Sequence, residues 1–322
     1  MVDPVAAPAA PASAPGATPG PTPASALASS GALSWEREGR HWPNRESSRF
    51  VRASGLRWHV QRMGRGPAVV LLHGTGASTH SWRALAPLLA PHLTVVAPDL
   101  PGHGFTQALP PHRRNLPGMA RAVSDLLHAL GEAPALAAGH SAGAAILLRM
   151  CLDGRIEPRA VVAFNGAVLP APGGYGGPVA PLARLIARAP LLPRLFAWGA
   201  SDPAVMARLL GNTGSTLDAE GAAFYARLAR SPGQVAGALA MMAGWDLNPL
   251  ERDLPRLRPK LVLVAGEADR MVPSSEAGRA RALLHSAEVV SMPGLGHLAH
   301  EERPEDAAAL LLRVARETGV LP

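Results

Sequence analysis

A series of short apolar runs, each closing on glycine, proline or aspartate, sets the frame of this chain. The runs cover 68–72 before His73-Gly74, 94–97 before Pro98-Asp99, 135–138 before Gly139, and 160–164 before Asn165-Gly166. Two more follow, 261–265 before Gly266-Glu267 and 288–291 before Met292-Pro293. Continuous apolar runs of this length, with helical patterns between them, are how strands buried on both faces read, and such strands pair in parallel. Helical patterns fit at about 80–90, 116–130, 142–152, 275–284 and 304–316. Two alternating segments, 49–53 and 56–61, joined at Ser54-Gly55, predict an antiparallel hairpin ahead of them. Alternation of strand and helix implies an α/β fold with a mostly parallel sheet and helices on both faces.

The rhythm is absent at both ends of this frame. Residues 1–33 are Ala, Pro, Ser and Gly with almost no charge, too little apolar surface to offset ordering entropy, and are expected to form a disordered tail. Between 166 and 250 the strands stop and the chain is helical in composition, broken by Pro172, Pro178, Pro181, Pro190, Pro193, Pro203 and Pro232. An insertion after the sixth strand of the sheet lies over the carboxyl ends of the strands, where ligands bind in open α/β sheets. It reads as a helical cap between two core portions, 34–165 and 251–322.

At 322 residues, 48% hydrophobic and 17% charged, the chain has ample core. No long uninterrupted apolar stretch predicts a transmembrane helix, and no basic-then-apolar start predicts a secretory signal. Cys151 is the sole cysteine and has no partner for an internal disulfide, which suits a reducing cytoplasm. The formal charge of +7 is carried almost wholly by arginine, Lys260 being the one lysine. No basic run with interleaved aromatics points to nucleic acid, while an anionic membrane surface or an acidic ligand fits the charge. There is no H-E-x-x-H or cysteine cluster, so neither a metal ligand nor a cofactor is expected.

Residues 138–144 read A-G-H-S-A-G-A. G-x-S-x-G between a buried run and an Ala/Leu-rich helix places Ser141 on a sharp strand-to-helix turn, with small neighbours that let the turn form. A serine nucleophile needs a base and a group that orients it, in the chain order Ser, acid, His. Asp269 in G-E-A-D-R-M-V-P and His297 in P-G-L-G-H-L-A-H-E-E follow the ends of predicted strands on the same edge as Ser141. Glu267 is the alternative acid. His300 is the competing histidine, expected in the next helical turn against the cap or solvent. The oxyanion hole is expected from the N–H of Ala142 and one in the loop H-G-T-G-A-S, Thr75 first and Gly76 second. His73, and the Asp99 and His103 of the turn D-L-P-G-H-G, are expected to bond local backbone.

Taken in order, H-G-T-G-A-S, D-L-P-G-H-G, G-H-S-A-G, G-E-A-D-x-x-V-P and G-L-G-H-L-A-H-E-E resemble the α/β-hydrolase fold family over about residues 48–316. The resemblance implies an eight-stranded, mostly parallel sheet with Ser141, Asp269 and His297 as a catalytic triad. W-E-R-E-G-R-H-W-P-N-R-E-S-S-R-F-V (35–51), L-R-W-H-V-Q-R-M-G (56–64) and H-G-T-G-A-S-T-H-S-W-R (73–83) further resemble the family of magnesium-chelatase accessory proteins of bacteriochlorophyll biosynthesis in purple phototrophic bacteria. That resemblance implies a role beside the chelatase subunits in Mg²⁺ insertion into protoporphyrin IX; the expected location is the cytoplasm, or the periphery of the photosynthetic membrane if the cap meets it. A general carboxylesterase of small hydrophobic esters and a non-catalytic porphyrin carrier are the competing functions.

Within the cap, 178–200 interleaves Leu, Ile, Phe196 and Trp198 with Arg184, Arg188 and Arg194. Arg184 and Arg188 are four apart and share a helical face. Three readings fit: an apolar wall with arginines for a porphyrin and its propionates, a helix lying on an anionic membrane, or an amphipathic helix packed on the core. The first makes Gly76, Arg184, Arg188, Phe196 and Trp198 candidate substrate-binding residues.

Overall fold

The structure, a computed structural model, describes residues 31–170 and 191–322. Most of the Ala/Pro-rich segment, and Arg184 and Arg188, lie outside the described residues. Eight strands form one sheet: β1 Ser48–Ala53, β2 Leu56–Met63, β3 Ala68–Leu72, β4 Thr94–Pro98, β5 Leu136–His140, β6 Ala160–Phe164, β7 Lys260–Gly266 and β8 Glu288–Met292. Their order is β1-β2-β4-β3-β5-β6-β7-β8. The β1–β2 hairpin is antiparallel and β2 joins β4 antiparallel, whereas every pairing from β4 to β8 is parallel.

The helices, in chain order, begin with α1 Trp35–Glu38, α2 Leu85–Leu89, α3 Leu116–Leu130 and α4 Ala142–Leu152. Between β6 and β7 come α5 Leu192–Gly199, α6 Pro203–Gly211, α7 Ala219–Ala229, α8 Pro232–Ala243 and α9 Asn248–Asp253. The chain closes with α10 Ser275–Leu283, α11 Ala299–Glu302 and α12 Pro304–Glu317. Successive strand residues feed opposite cores. Val70, Leu72, Ala137, Val161 and Leu263 meet α3, α4 and α9, while Val69, Leu71, Leu136, Val162 and Val264 meet α2 and α12. Burial on both faces is why these strands read as unbroken apolar runs rather than as alternation.

Several details depart from expectation. The 80–90 helix is a 3₁₀ turn, Thr79–Trp82, followed by the short α2, because Trp82 is fully buried and turns the chain inward. Pro193, Pro203 and Pro232 do not break helices but start them, at the first turns of α5, α6 and α8, where a missing N–H costs nothing. Gly31, expected within the tail, is docked: its carbonyl accepts from Gly233 N at 2.8 Å and from Ser231 Oγ at 2.7 Å.

Register brings the functional ends together. Gly139 lies between Leu72 of β3 and Ala163 of β6, and His140 pairs with Phe164. The residues that follow β3, β5, β6, β7 and β8 therefore emerge on one edge. Helix α4 is buried almost throughout and passes so close under β3 that a Cβ on Gly143 would strike the carbonyl oxygens of Leu72 and His73. Gly143→Ala is accordingly expected to cost about 3 kcal/mol of unfolding free energy in urea titration. Gly278→Ala in α10, where a Cβ meets nothing, is expected to add up to about 1 kcal/mol.

Candidate active site

Ser141 stands between β5 and α4 with φ 50° and ψ −118°, a backbone state that a side-chain-bearing residue holds only when its surroundings enforce it. The enforcement is visible. Ser141 N donates to Phe164 O at 3.0 Å, and Ser141 O accepts from Ala144 N at 3.1 Å and Ala167 N at 3.2 Å. The turn is thus tied to β6 and to the first turn of α4. Ala142 opens α4, so its N–H has no helical acceptor. In the facing loop, no hydrogen bond engages the N–H of Thr75 or Gly76 among the described residues. These N–H groups and Ser141 border one cavity of about 820 Å³.

His297 lies in the loop between β8 and α11 and borders the same cavity. Its Nδ1 is 2.8 Å from Asp269 Oδ2. That carboxylate is saturated with donors. Oδ1 accepts from Met271 N at 2.7 Å and Val272 N at 2.9 Å, and Oδ2 also accepts from Asn165 Nδ2 at 2.8 Å. An acceptor of this kind fixes the His297 proton on Nδ1 and leaves Nε2 as the basic atom. No hydrogen bond joins Ser141 Oγ to His297 among the described residues; such contacts commonly tighten only when substrate is bound. Glu267, the alternative acid, accepts from Ser291 Oγ on the exposed side of the sheet edge at 2.6 Å, away from the imidazole's acceptor.

The loops that carry these groups are pinned from behind. His140 Nε2 donates to His297 O at 2.9 Å, and Thr213 O accepts from His297 N at 3.0 Å. His73 Nε2 accepts from Leu100 N at 2.9 Å, so its proton is on Nδ1 and goes to Gly74 O at 2.8 Å. Asp99 receives Thr79 N, Phe105 N and His59 Nδ1. His103 Nδ1 bonds Pro101 O at 3.3 Å. Gln234 of α8 donates to Gly76 O at 3.0 Å and Ala77 O at 3.2 Å. Trp42, from the R-H-W-P-N-R-E segment, donates from Nε1 to Thr79 Oγ1 at 3.0 Å. Asn165, Gln234 and Thr213 carry no motif of their own, and His140, though it stands in G-H-S-A-G, has no sequence signal for its bond to His297. Only the position of Asn165 at a strand end hinted at a place on this edge.

His300 corrects an expectation. It does not reach solvent: it is fully buried, with Nε2 2.8 Å from Ser81 Oγ and its ring tilted against those of His140 and Trp82. The short α11 directs it back under the sheet edge. Burial, with His297 and Arg83 nearby, pushes its pKa down to about 3. Burial, with His300 and His297 beside it, likewise holds His140 well below the ordinary imidazole range. Burial opposes ionisation of Asp99, but the pairing with His59, the His73 ring and Phe105 N prevail and bring it down to about 2.

The expected substrate contacts divide. Gly76 and Phe196 border the cavity, whose lining is mostly apolar, Val168, Leu210, Leu239 and Trp245 among it, but also includes Asp246, Asn248, Arg270 and Glu276. Trp198 is not part of that lining and is 79% exposed, because it sits on the side of α5 opposite the buried Pro193 and Ala197. No group of His, Cys, Asp and Glu among the described residues could hold a metal ion.

Residues 69–310 match the family model described as the alpha/beta hydrolase family. The chain belongs to the alpha/beta hydrolase family. It is 38% identical over 275 residues to the magnesium-chelatase 30 kDa subunit of Rhodobacter capsulatus, covering 84% of this chain and 95% of that protein. It is 26% identical to a 2-hydroxy-6-oxo-6-phenylhexa-2,4-dienoate hydrolase of Burkholderia cepacia, over 78% of this chain and 88% of that one. A crystal structure of an alpha/beta hydrolase fold protein from Burkholderia ambifaria superimposes with a TM-score of 0.70 at 25% identity, covering 82% of this chain and 97% of that chain. As a member of this family the chain has the eight-stranded, mostly parallel hydrolase sheet that its sequence implied.

The histidines beneath the site set a pH dependence. His73, His80, His103, His140 and His300 are all held below the ordinary value of 6.5 by burial. The unfolded chain therefore takes up protons below about pH 6.5 that the folded chain refuses, and stability falls as pH drops through that window. Each such histidine contributes a slope of about 1.4 kcal/mol per pH unit. Urea midpoints are expected to fall steeply from pH 7 to pH 5, and His300→Leu to remove about one histidine's share of that slope. A flat profile would contradict the buried neutral layer.

Proposed function

We propose that this protein is an accessory factor of magnesium chelatase in bacteriochlorophyll biosynthesis, and that it acts as a serine hydrolase through Ser141, His297 and Asp269. The observation that carries the chemistry is the joint opening of Ser141, the Asp269-held His297 and a loop whose Thr75 and Gly76 N–H groups no hydrogen bond engages among the described residues onto one mostly apolar cavity. The pathway assignment is supported by similarity to the chelatase subunit of Rhodobacter capsulatus along almost its whole length. The chelatase subunits are the proposed protein partners. A tetrapyrrole such as protoporphyrin IX or its magnesium form is the proposed ligand class, which a roomy apolar cavity suits.

In this reading Ser141 Oγ attacks an acyl carbon while His297 Nε2 takes its proton. Asp269 keeps the imidazolium oriented through Nδ1–H and balances its charge. The oxyanion of the tetrahedral intermediate accepts from the N–H of Ala142 and from that of Thr75, with Gly76 adjacent. Collapse of the intermediate expels the alcohol, which receives its proton from His297. Water, deprotonated by the same Nε2, then releases the acid and restores Ser141. Asn165 and the Met271 and Val272 N–H groups hold the Asp269 carboxylate in place.

Deleting the gene in a phototrophic host and restoring it as wild type or Ser141→Ala tests the reading. Wild type is expected to restore bacteriochlorophyll and the alanine form to leave the deletion phenotype. On a short aryl ester, Ser141→Ala is expected to lower kcat/KM by roughly 10⁴-fold or more. Full pigment with Ser141→Ala would overturn the catalytic part in favour of a carrier. Unchanged pigment on deletion would overturn the pathway part and leave a general esterase.

A further inference from the structure

Single exposed apolar residues are ordinary on a protein surface, but a continuous stripe is not. On α5 and the residue before it, Leu191, Leu195 and Trp198 follow the i, i+4, i+7 spacing of one helical face. They are 62%, 60% and 79% exposed, while Pro193 and Ala197 on the opposite side are buried. Between the two faces stands Phe196, which borders the Ser141 cavity and is itself 47% exposed. Leu209 and Met271 also border the cavity and also reach solvent. The outer stripe and the cavity wall are therefore one apolar surface, meeting at Phe196. Arg194 on α5 and Arg208 on α6 are exposed, and no carboxylate pairs with either among the described residues. The chain as a whole carries +7.

We propose that this face docks on an anionic lipid bilayer, so that the Ser141 cavity opens onto the lipid phase. Leu191, Leu195 and Trp198 enter the interface, where an indole sits favourably between headgroups and acyl chains. Arg194 and Arg208 meet lipid phosphates. A bilayer accounts for the continuity better than a protein partner does. A folded partner seated on the stripe would cover the cavity mouth, whereas a fluid apolar phase leaves a path past Phe196 for an apolar ligand that never crosses water. The ligand path rests on the serine-hydrolase reading; the docking does not.

Co-sedimentation of the full chain with vesicles tests this directly, using phosphatidylglycerol/phosphatidylcholine mixtures against pure phosphatidylcholine. Wild type and Ser141→Ala are expected to bind the anionic vesicles equally, and both to release in high salt. Leu191→Ser/Leu195→Ser is expected to bind about tenfold or more weakly yet to hydrolyse a water-soluble short aryl ester as wild type does. The difference spectrum between wild type and Trp198→Phe is expected to shift to the blue with anionic vesicles. No binding to either vesicle, leaving the face to a protein partner, would overturn the proposal. So would equal binding to both lipids, or undiminished binding by the double serine variant. If vesicles bind but Ser141→Ala leaves ester hydrolysis intact, the docking stands and the serine-hydrolase reading fails.

Discussion

The backbone of Ser141 is held at φ 50°, and the surrounding architecture answers to that constraint. The strained residue must be clamped on both sides, by Phe164 O on β6 and by the first turn of α4, so β5, β6 and α4 need to be in close contact. Close contact demands glycine at 143, where α4 meets the carbonyls that end β3. It also demands a glycine at 139, which a Cβ would drive into α4. The strain is offset by deep burial of α4 and the central strands. What it gains is exposure of a hydroxyl above the sheet edge, beside the unengaged N–H that starts the helix.

A neutral layer lies below that edge. His73, His140 and His300 sit where charge would be costly, and burial keeps each uncharged. As neutral groups they donate and accept in fixed directions: His140 holds the carbonyl of His297, and His73 ties the end of β3 to Leu100. Asp99 is the buried anion of the adjoining turn, with two backbone N–H groups and His59 against it. The R-H-W-P-N-R-E segment presses on the same loop through Trp42, and α8 does so through Gln234. The loop that would complete an oxyanion hole is thus positioned by three separate parts of the chain. Pre-set donors of this kind need no reorganisation when charge develops.

Much of this was legible in the sequence because its signals are local. Doubly buried strands leave unbroken apolar runs, and tight strand-to-helix turns leave small residues around Ser141. The positions of Asp269 and His297 followed from where their strands end. The holding roles of Asn165, Gln234 and His140 were not legible, because each bonds across a long sequence separation that neither periodicity nor the G-H-S-A-G motif encodes. His300 was misplaced for a related reason. Its helical turn could be read, but the direction of that turn depends on α11 folding under the sheet edge. Trp198 looked like a ligand contact by composition. Only the rotation of α5, fixed by burial of Pro193 and Ala197, sends it outward and leaves Phe196 at the cavity border.

Covalent labelling measures whether Ser141 is an activated nucleophile without knowledge of the substrate. A fluorophosphonate probe, followed by digestion and peptide mass spectrometry, is expected to place one adduct on Ser141 in the wild type. His297→Ala is expected to abolish it, since the hydroxyl then lacks its base. Absence of an adduct, its appearance on another serine, or undiminished labelling in His297→Ala would contradict the account.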